Sequence, residues 1–400
     1  MGAELALVID FRAEGNSLGY LDGGWAQPEA GFTWAIGTES HVVLRDIAPD
    51  DDYVLQLDVI PFVHAPELPA QRIIVSVNGS VVGSSALSRP TLLGYRVPGH
   101  LLRGTGAIRI VLQHPDAVLP SEFLATTDQR QLAFSLVEMR LYRVVQDDAD
   151  RAWRAPRGVM ISGGDSHDFK DRPPADLAAW VAERTGLDLP ALALQFESLG
   201  ENCEYGLVQR RCESEPLGLL RFSSTFLRSL IRGLDDGFAG IGEDDDVDPR
   251  LQGAAPREFM VHEKKYGLVY HTFVYEGERS PWLMREQEAA RLKFLRRKFL
   301  EELEIAEKIF IYKRNTPVPE EEILPLFLSL RRHGNNTLLW VVPAGRARPA
   351  GTVEVVMPGL LKGYIDRFAT DENAHDFSFD GWLKVCANAV VLARLGRGAT

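Results

Sequence analysis

The sequence predicts an α/β domain, with a mainly parallel sheet, helices on both faces and a β-hairpin insertion, preceded by an all-β sandwich or jelly-roll domain. Short apolar runs separated by Gly, Pro, Asp and Asn fill residues 1 to about 145, as in antiparallel strands joined by turns. Strand-like and helix-like segments alternate towards the C-terminus, which favours a parallel sheet covered by helices. A chain of 400 residues also exceeds one typical core.

The first predicted domain, residues 1–145, is read from seven strand-like runs. Asn78-Gly79 follows one of them and is a strong hairpin signal, because both residues tolerate positive φ. The runs are Thr33–Ile36, His41–Leu44, Tyr53–Val59, Arg72–Val77, Gly94–Val97, Ala107–Leu112 and Ala133–Tyr142.

Residues 146–190 are predicted to be a linker with a lead-in helix, and residues 191–400 the α/β domain. The linker is charged and contains Pro. Its triplet Gly164-Asp165-Ser166 resembles the nucleophile block of SGNH hydrolases, but Pro173-Pro174 intervenes where the helix should begin. Within the α/β domain, the runs 258–262 and 268–275 predict the hairpin.

A thiol is expected at a strand-to-helix turn near Cys203. The apolar run Leu192–Phe196 predicts a buried strand, Gly200 a turn, and Asn202 a helix cap. The N–H groups of a helix start favour a thiolate and can hold an oxyanion. Glu201 and Glu204, which flank Cys203, oppose this, because nearby carboxylates disfavour a second negative charge and raise the pKa of the thiol. The alternative is a small cysteine that only fills space beneath the turn.

The segment 198–204, Ser-Leu-Gly-Glu-Asn-Cys-Glu, followed by Gln209-Arg210, resembles the opening motif of bacterial papain-like cysteine peptidases of unknown function. Its Gly-x-Asn-Cys core is similar to the Gly-Asn-Cys motif of polysaccharide-biosynthesis acetyltransferases. The resemblance covers about residues 190–390, and only the cysteine motif is sharp. It implies that Cys203 is a nucleophile paired with a histidine, that Gly200 and Asn202 shape the oxyanion turn, and that coenzyme A is the acyl donor.

Two histidines compete for the role of base. His271 lies in a run whose alternation places Val269 and Phe273 on its own face, and both a core histidine and a catalytic base fit such a position. His375 lies in a loop before the last predicted helix, and such loops reach the carboxyl ends of sheet strands. The sequence leaves the choice open.

The N-terminal half resembles the carbohydrate-binding-like sandwich modules of surface-polysaccharide proteins. Weakly specific segments carry this resemblance, namely 77–79, 114–117 with Pro120, and 128–133. Trp25, Phe32 and Trp34 could stack on a sugar, although aromatic side chains in sandwiches often belong to the core. The residues predicted to bind substrate are Trp25, Trp34, Arg210 and Arg221.

Composition excludes several classes of protein. A net charge of −12 argues against a nucleic-acid binder, and no stretch approaches the roughly 20 apolar residues of a membrane span. The first residues lack a secretion signal, and three cysteines form neither a disulfide framework nor a zinc motif, so a cytoplasmic protein without metal is expected. The predicted helix 282–305 has a basic side that includes Arg291 and could meet a phosphate-rich ligand.

The leading hypothesis is cysteine-dependent acyl transfer, or acyl hydrolysis, on a bacterial surface polysaccharide or its precursor. In this hypothesis the sandwich positions the glycan. One alternative is a papain-like cysteine peptidase. The other is a non-catalytic glycan-binding or assembly protein of polysaccharide biosynthesis. The oligomeric state, the sugar and the acyl group stay open.

Overall fold

The computed structural model describes residues 2–104, 106–145, 153–162, 174–243, 245–370 and 373–398. The chain divides into two compact units. The first contains residues 2–145 together with 319–328, and the second contains 146–318 and 329–400. Residues 319–328 lie within the α/β domain that was predicted from the sequence, 191–400. The Gly164-Asp165-Ser166 triplet lies outside the described residues.

The first unit is a β-sandwich, as predicted. One sheet has the strand order β1-β9-β4-β7, with β2 paired to β9, and the other has the order β3-β8-β5-β6. Its strands are β1 (Gly2–Asp10), β2 (Thr33–Ile36), β3 (Glu39–Leu44), β4 (Tyr53–Pro61), β5 (Gln71–Val77), β6 (Ser80–Leu87), β7 (Thr91–Val97), β8 (Ile108–Gln113) and β9 (Leu132–Val145).

Alternation of apolar residues builds the sandwich core. In β8, Ile108, Ile110 and Leu112 are buried while the residues between them are more exposed, because successive side chains of a strand point to opposite faces. Residues from both sheets form one apolar cluster. The predicted hairpin turn joins β5 to β6, with positive φ at Asn78 (48°) and Gly79 (84°).

The second unit contains two sheets and most of the helices. Its elements are β10 (Met160–Ile161), α1 (Pro174–Thr185), α2 (Leu189–Leu194), β11 (Phe196–Ser198), α3 (Glu204–Arg211), β12 (Ser223–Ser224), α4 (Leu227–Asp235), β13 (Val247–Gln252), β14 (Glu258–Glu263), β15 (Leu268–Tyr275), α5 (Pro281–Ile305), β16 (Ile309–Lys313), α6 (Glu320–Arg331), β17 (Thr337–Pro343), β18 (Val353–Met357), β19 (Leu360–Ile365) and α7 (Phe379–Arg397). The first part of α6 belongs to the sandwich unit.

A six-stranded mixed sheet has the order β10-β18-β19-β17-β16-β11. The strands β19, β17, β16 and β11 run parallel. The strand β18 pairs antiparallel with β19, and β10 pairs antiparallel with β18. The strand β10 lies within the predicted linker 146–190. The carboxyl ends of the parallel strands lead into the loops that contain Cys203 and Ala369, which is where sites form in open α/β sheets.

A separate antiparallel sheet has the order β12-β15-β14-β13. It contains the predicted hairpin, in which Met260 pairs with His271 and Glu263 with Leu268. A bulge lies between Glu258 and Met260. Among the described residues, no helix is both long enough and apolar enough to span a bilayer.

The predicted strand Leu192–Phe196 is wrong in most of its length. Residues Leu189–Leu194 form α2, and β11 begins only at Phe196. The Asp188 carboxylate accepts a hydrogen bond from the N–H of Ala191 (2.8 Å), and Pro190 lies in the first turn. These are strong helix-start signals, and they prevail over the apolar pattern that a short strand shares with a buried helix.

Candidate functional site

Cys203 lies directly before α3, in the turn that follows the parallel strand β11. Its carbonyl accepts the N–H of Leu207 (3.0 Å), and Asn202 Oδ1 accepts the N–H of Glu204 (3.1 Å). Gly200 has φ +85°, and an added Cβ would lie 3.1 Å from the carbonyl oxygen of Ser223. The Asn202 side chain therefore already binds the N–H group of Glu204, one of the helix-start N–H groups that were predicted to hold an oxyanion.

Beneath this turn lies a buried ion pair. Glu204 Oε2 accepts hydrogen bonds from Lys313 Nζ (2.5 Å) and from the N–H of Ala369 (3.1 Å). Glu204 Oε1 accepts the indole N–H of Trp382 (2.8 Å). Lys313 Nζ also donates to Asn315 Oδ1 (2.9 Å). The cluster joins the loops after β11, β16 and β19 to α7.

Burial raises the pKa of the Cys203 thiol, while its own backbone N–H and the ammonium of Lys313 oppose this shift. The Glu204 carboxylate adds a smaller upward shift of the Cys203 pKa, which the ammonium of Lys313, bound to the same carboxylate, offsets. Cys203 is partly exposed, whereas Cys212 and Cys386 are buried.

The structure joins neither candidate base to Cys203. Among the described residues, no hydrogen bond links a histidine to the thiol. His271 Nδ1 lies 3.0 Å from Glu258 Oε2 on the antiparallel sheet. His375 is exposed, and its backbone N–H donates to Asn373 Oδ1 (3.2 Å). The predicted pairing of Cys203 with His271 or His375 therefore stays a prediction.

Arg221 holds α3 and the following loop together, contrary to the predicted role in substrate binding. Its side chain is buried. All five N–H groups of the guanidinium donate to protein oxygens, so none is left for a ligand. The acceptors are Gln209 Oε1 (2.9 Å), Glu215 Oε2 (2.7 Å) and the carbonyl oxygens of Pro216 (3.0 Å), Gly206 (3.1 Å) and Ser214 (3.0 Å).

Arg210 and His271, both predicted site residues, line one pocket of about 150 Å³ in the second unit. Arg291 of α5 lines it as well, and Cys203 does not. We call this cavity the Arg210–Arg291 pocket. The sequence signal for Arg291 was the basic side of α5, but nothing in the sequence indicated that this helix meets β15.

The two tryptophans predicted to bind sugar have different environments. Trp25 packs against Phe11 (5.2 Å between ring centroids) and the sandwich core, and its indole N–H donates to the carbonyl of His41 (2.9 Å). Trp25 is therefore part of the sandwich framework. Trp34 is half-buried, and among the described residues its indole N–H has no hydrogen-bond partner.

Trp34 belongs to a strip of partly exposed rings, which we call the aromatic strip. It consists of Phe32, Trp34, Phe62, Phe123 and His64. Successive ring centroids lie 5.3, 6.3, 6.5 and 5.5 Å apart. The three members beyond Trp34 were missed, since residues 62–64 and 123 are distant in sequence and only folding brings them together.

Cofactor and metal sites have little support in the described part of the chain. No group of three or more His, Cys, Asp or Glu side chains there is arranged to hold a metal ion. Arg210 and Arg291, which the sequence analysis named as possible ligand-binding residues, line one cavity. Coenzyme A, expected from the acetyltransferase resemblance, stays a prediction.

Comparison with known proteins gives structural similarities only, as no family model and no curated protein matches the sequence. One similar structure is the CBM22-1 xylan-binding domain from Paenibacillus barcinonensis Xyn10C, with 14% identity over 36% of this chain and 98% of that one (TM-score 0.26). Another is the CBM36-1 domain of a multidomain xylanase from the hindgut metagenome of Trinervitermes trinervoides, with 14% identity, 35% and 98% coverage and a TM-score of 0.21. A GH115 4-O-methyl-α-glucuronidase matches with 11% identity over 36% of this chain and 18% of its own length (TM-score 0.25).

Proposed function

We propose that this protein binds a glycan through the aromatic strip of its β-sandwich. The observation that carries the proposal is the strip itself, in which five partly exposed rings follow one another at centroid distances of 5.3–6.5 Å. Sugar rings present apolar C–H faces that pack on aromatic rings, and their hydroxyl groups need polar partners at the edge of such a surface.

Polar groups close to the strip support a sugar ligand. The indole N–H of Trp34 is available to a hydroxyl group. Arg130 is fixed by Asp128 (Nη2 to Oδ2, 2.6 Å) and lies 3.5 Å from a carboxylate oxygen of Glu29. The backbone N–H of Glu29 in turn donates to the carbonyl of Phe32, the first ring of the strip. A charged, rigid corner thus adjoins the aromatic surface.

The test is a glycan array followed by calorimetric titration of the full chain with the best ligand. Trp34→Ala should weaken binding at least about tenfold, since it removes a ring and an N–H donor. Trp282→Ala is the matched control, because this tryptophan is 70% exposed and belongs to the second unit. The proposal fails if no glycan binds, or if Trp34→Ala, still folded by circular dichroism, binds as the parent protein does.

A second candidate function is thiol acyl chemistry at Cys203, supported by its position at the carboxyl end of a parallel strand and at the start of α3. In this reaction the Cys203 sulfur attacks the carbonyl of an acyl-coenzyme A. The new thioester forms as the bond to coenzyme A breaks, and the proton lost by Cys203 ends on the released coenzyme A thiol. A sugar hydroxyl then takes the acyl group and returns its proton to Cys203.

Mass spectrometry of the protein after incubation with acetyl-coenzyme A tests this chemistry. An acetyl group should appear on Cys203 and not on Cys212, a buried thiol whose pKa is raised to about 12 by burial. Loss of the adduct in His271→Ala or in His375→Ala would identify a base. A peptidase would instead cleave a peptide substrate in a reaction that coenzyme A does not affect. Absence of any adduct on Cys203 would contradict acyl transfer.

A further inference from the structure

The Arg210–Arg291 pocket has the composition of a binding site for an anion, and neither proposed function places a ligand in it. It lies where β15 meets α5 and the segment that begins in α3. Its lining residues are Arg210, Gly218, Leu219, Phe222, Ser223, Tyr270, His271, Thr272, Phe273, Arg291, Leu292 and Leu295. Two arginines and a histidine line it, with no Asp or Glu among the described lining residues.

Both arginines keep donors for a ligand. Arg210 uses Nε to bind Glu215 (2.6 Å), and Arg291 uses Nη1 to bind Glu288 (3.3 Å). Their remaining N–H groups have no hydrogen-bond partner among the described residues. Neither carboxylate lines the pocket. A bound anion would therefore meet guanidinium groups without a competing carboxylate in the cavity.

Aromatic rings fix the position of the two guanidinium groups. Arg210 lies over Phe222 (5.1 Å to the ring centroid) and Arg291 over Tyr270 (5.6 Å), and both rings line the pocket. Cation–π contacts of this kind hold a guanidinium without consuming its N–H donors. Tyr270 is itself anchored, because its hydroxyl donates to Glu288 Oε2 (2.9 Å).

The His271 ring is oriented by Glu258. This carboxylate lies 3.0 Å from His271 Nδ1 and accepts the backbone N–H of Phe273 (2.8 Å). Glu258 accepts the proton on Nδ1, and in the imidazolium form the second N–H group, at Nε2, can donate to an anion. Phe273 has φ +57°, a conformation that a bulky side chain rarely adopts, and its ring stacks on His271 (5.8 Å). Backbone strain of this kind occurs at ligand sites.

The rest of the lining is mainly apolar, with Ser223 and Thr272 as additional polar residues. Leu219, Leu292 and Leu295 are buried residues of this lining. A cavity of about 150 Å³ is the size that holds one benzene ring. A ligand that fills the pocket therefore has an anionic end facing the arginines and an apolar body against the leucines.

We propose that the Arg210–Arg291 pocket binds a small organic anion, a carboxylate or phosphate monoester that carries an apolar group of about the size of a benzene ring. The anionic group is bound by Arg210, Arg291 and His271. The apolar group lies against Leu219, Leu292 and Leu295.

Calorimetric titration of the full chain with benzoate, phenyl phosphate and benzamide tests this proposal. At least one of the two anions should bind at least about tenfold more tightly than benzamide, a neutral molecule with the shape of benzoate. Binding of benzoate or of phenyl phosphate supports the proposal and identifies the preferred anionic group. Equal affinity for benzamide, or no binding of either anion, overturns it.

Two variants locate the site. Arg291→Met should weaken binding of the preferred anion at least about tenfold, because it removes the guanidinium but keeps an apolar stem. Arg297→Met is the matched control, since Arg297 lies on the same helix, is exposed and does not line the pocket. The exposed position of Arg291 favours normal folding, which circular dichroism checks. Unchanged affinity in Arg291→Met, or an equal loss in both variants, would overturn the proposal.

Discussion

The turn at Cys203 and the Arg210–Arg291 pocket lie in the same unit, and each has a carboxylate bound to a nitrogen base, but the two pairs differ in access to water. The side chains of Lys313 and Glu204 are 2% and 1% exposed, whereas those of His271 and Glu258 are 53% and 16% exposed. Water can replace a lost partner at the exposed pair but not at the buried one. The buried pair is therefore expected to be required for folding, and the exposed pair mainly to orient the His271 ring.

The largest expected effect is at Lys313. Burial lowers the pKa of Lys313, and Glu204 opposes this shift. Lys313→Met should lower the free energy of unfolding by about 3–5 kcal/mol, because it leaves the Glu204 carboxylate buried without its cation. Guanidinium chloride denaturation measures the change.

The double variant Lys313→Met, Glu204→Gln is the control. A neutral amide at position 204 no longer needs the ammonium, so part of the lost stability should return. A loss below about 1 kcal/mol in Lys313→Met, the range of surface pairs, would remove the contrast between the two regions.

The second-largest effect is expected at Glu197, a residue close to both the Cys203 turn and the Arg210–Arg291 pocket. It lies in β11, which leads to Cys203, and a Cβ added at the pocket residue Gly218 would lie 2.2 Å from its Oε1. Burial raises the pKa of Glu197 to about 7, against the attraction of Lys308. In the unfolded chain Glu197 ionises at about pH 4.5, whereas in the folded protein it keeps its proton up to about pH 7. The free energy of unfolding should therefore fall by roughly 3 kcal/mol as the pH rises from about 4.5 through 7.

Denaturation between about pH 5 and pH 8 tests this. The difference in stability between Glu197→Gln and the parent protein should shift in favour of the variant as pH rises, since glutamine does not titrate. Glu301→Gln, a change at an exposed position, should show no such shift. A difference that stays constant with pH would mean that Glu197 is already ionised in the folded protein at acidic pH.

The smallest effect is expected at Glu258. Glu258→Gln should lower the free energy of unfolding by less than about 1 kcal/mol, because solvent reaches the His271 partner and glutamine still offers an acceptor to the N–H of Phe273. The same denaturation experiment measures it. A loss as large as that of Lys313→Met would mean that the two pairs are equally important for stability and that the comparison is wrong.

Local patterns predicted the sandwich and the hairpin because their information is short-range. Alternation in β8 and the Asn78-Gly79 turn each specify strand or turn geometry within a few residues. The stretch 192–196 has no alternation of its own, and the local helix-start signals at Asp188 and Pro190 made most of it helical. The placement of residues 319–328 with the sandwich unit also depends on distant contacts, including Arg96 Nη2 with Glu320 Oε1 (2.6 Å).

The candidate sites show the same limit. The turn at Cys203 could be predicted, since strand end, Gly200 and Asn202 are adjacent in sequence. The partner of the thiol could not, as neither His271 nor His375 is joined to it in the described chain. Arginine is a common ligand-binding residue, which made Arg221 a candidate. The sequence could not show that its side chain is buried and bound to five protein acceptors.

The sequence by itself determined the β-sandwich, the hairpin of β14 and β15 and the strand-to-helix turn that carries Cys203, because periodicity and turn residues act locally. Only the tertiary structure decided that Lys313 neutralises Glu204, that Arg210 and Arg291 share a pocket with His271, and that five rings form one strip. Each of these depends on residues about 20 to more than 100 positions apart, which come together only when apolar faces are buried and buried charges find partners.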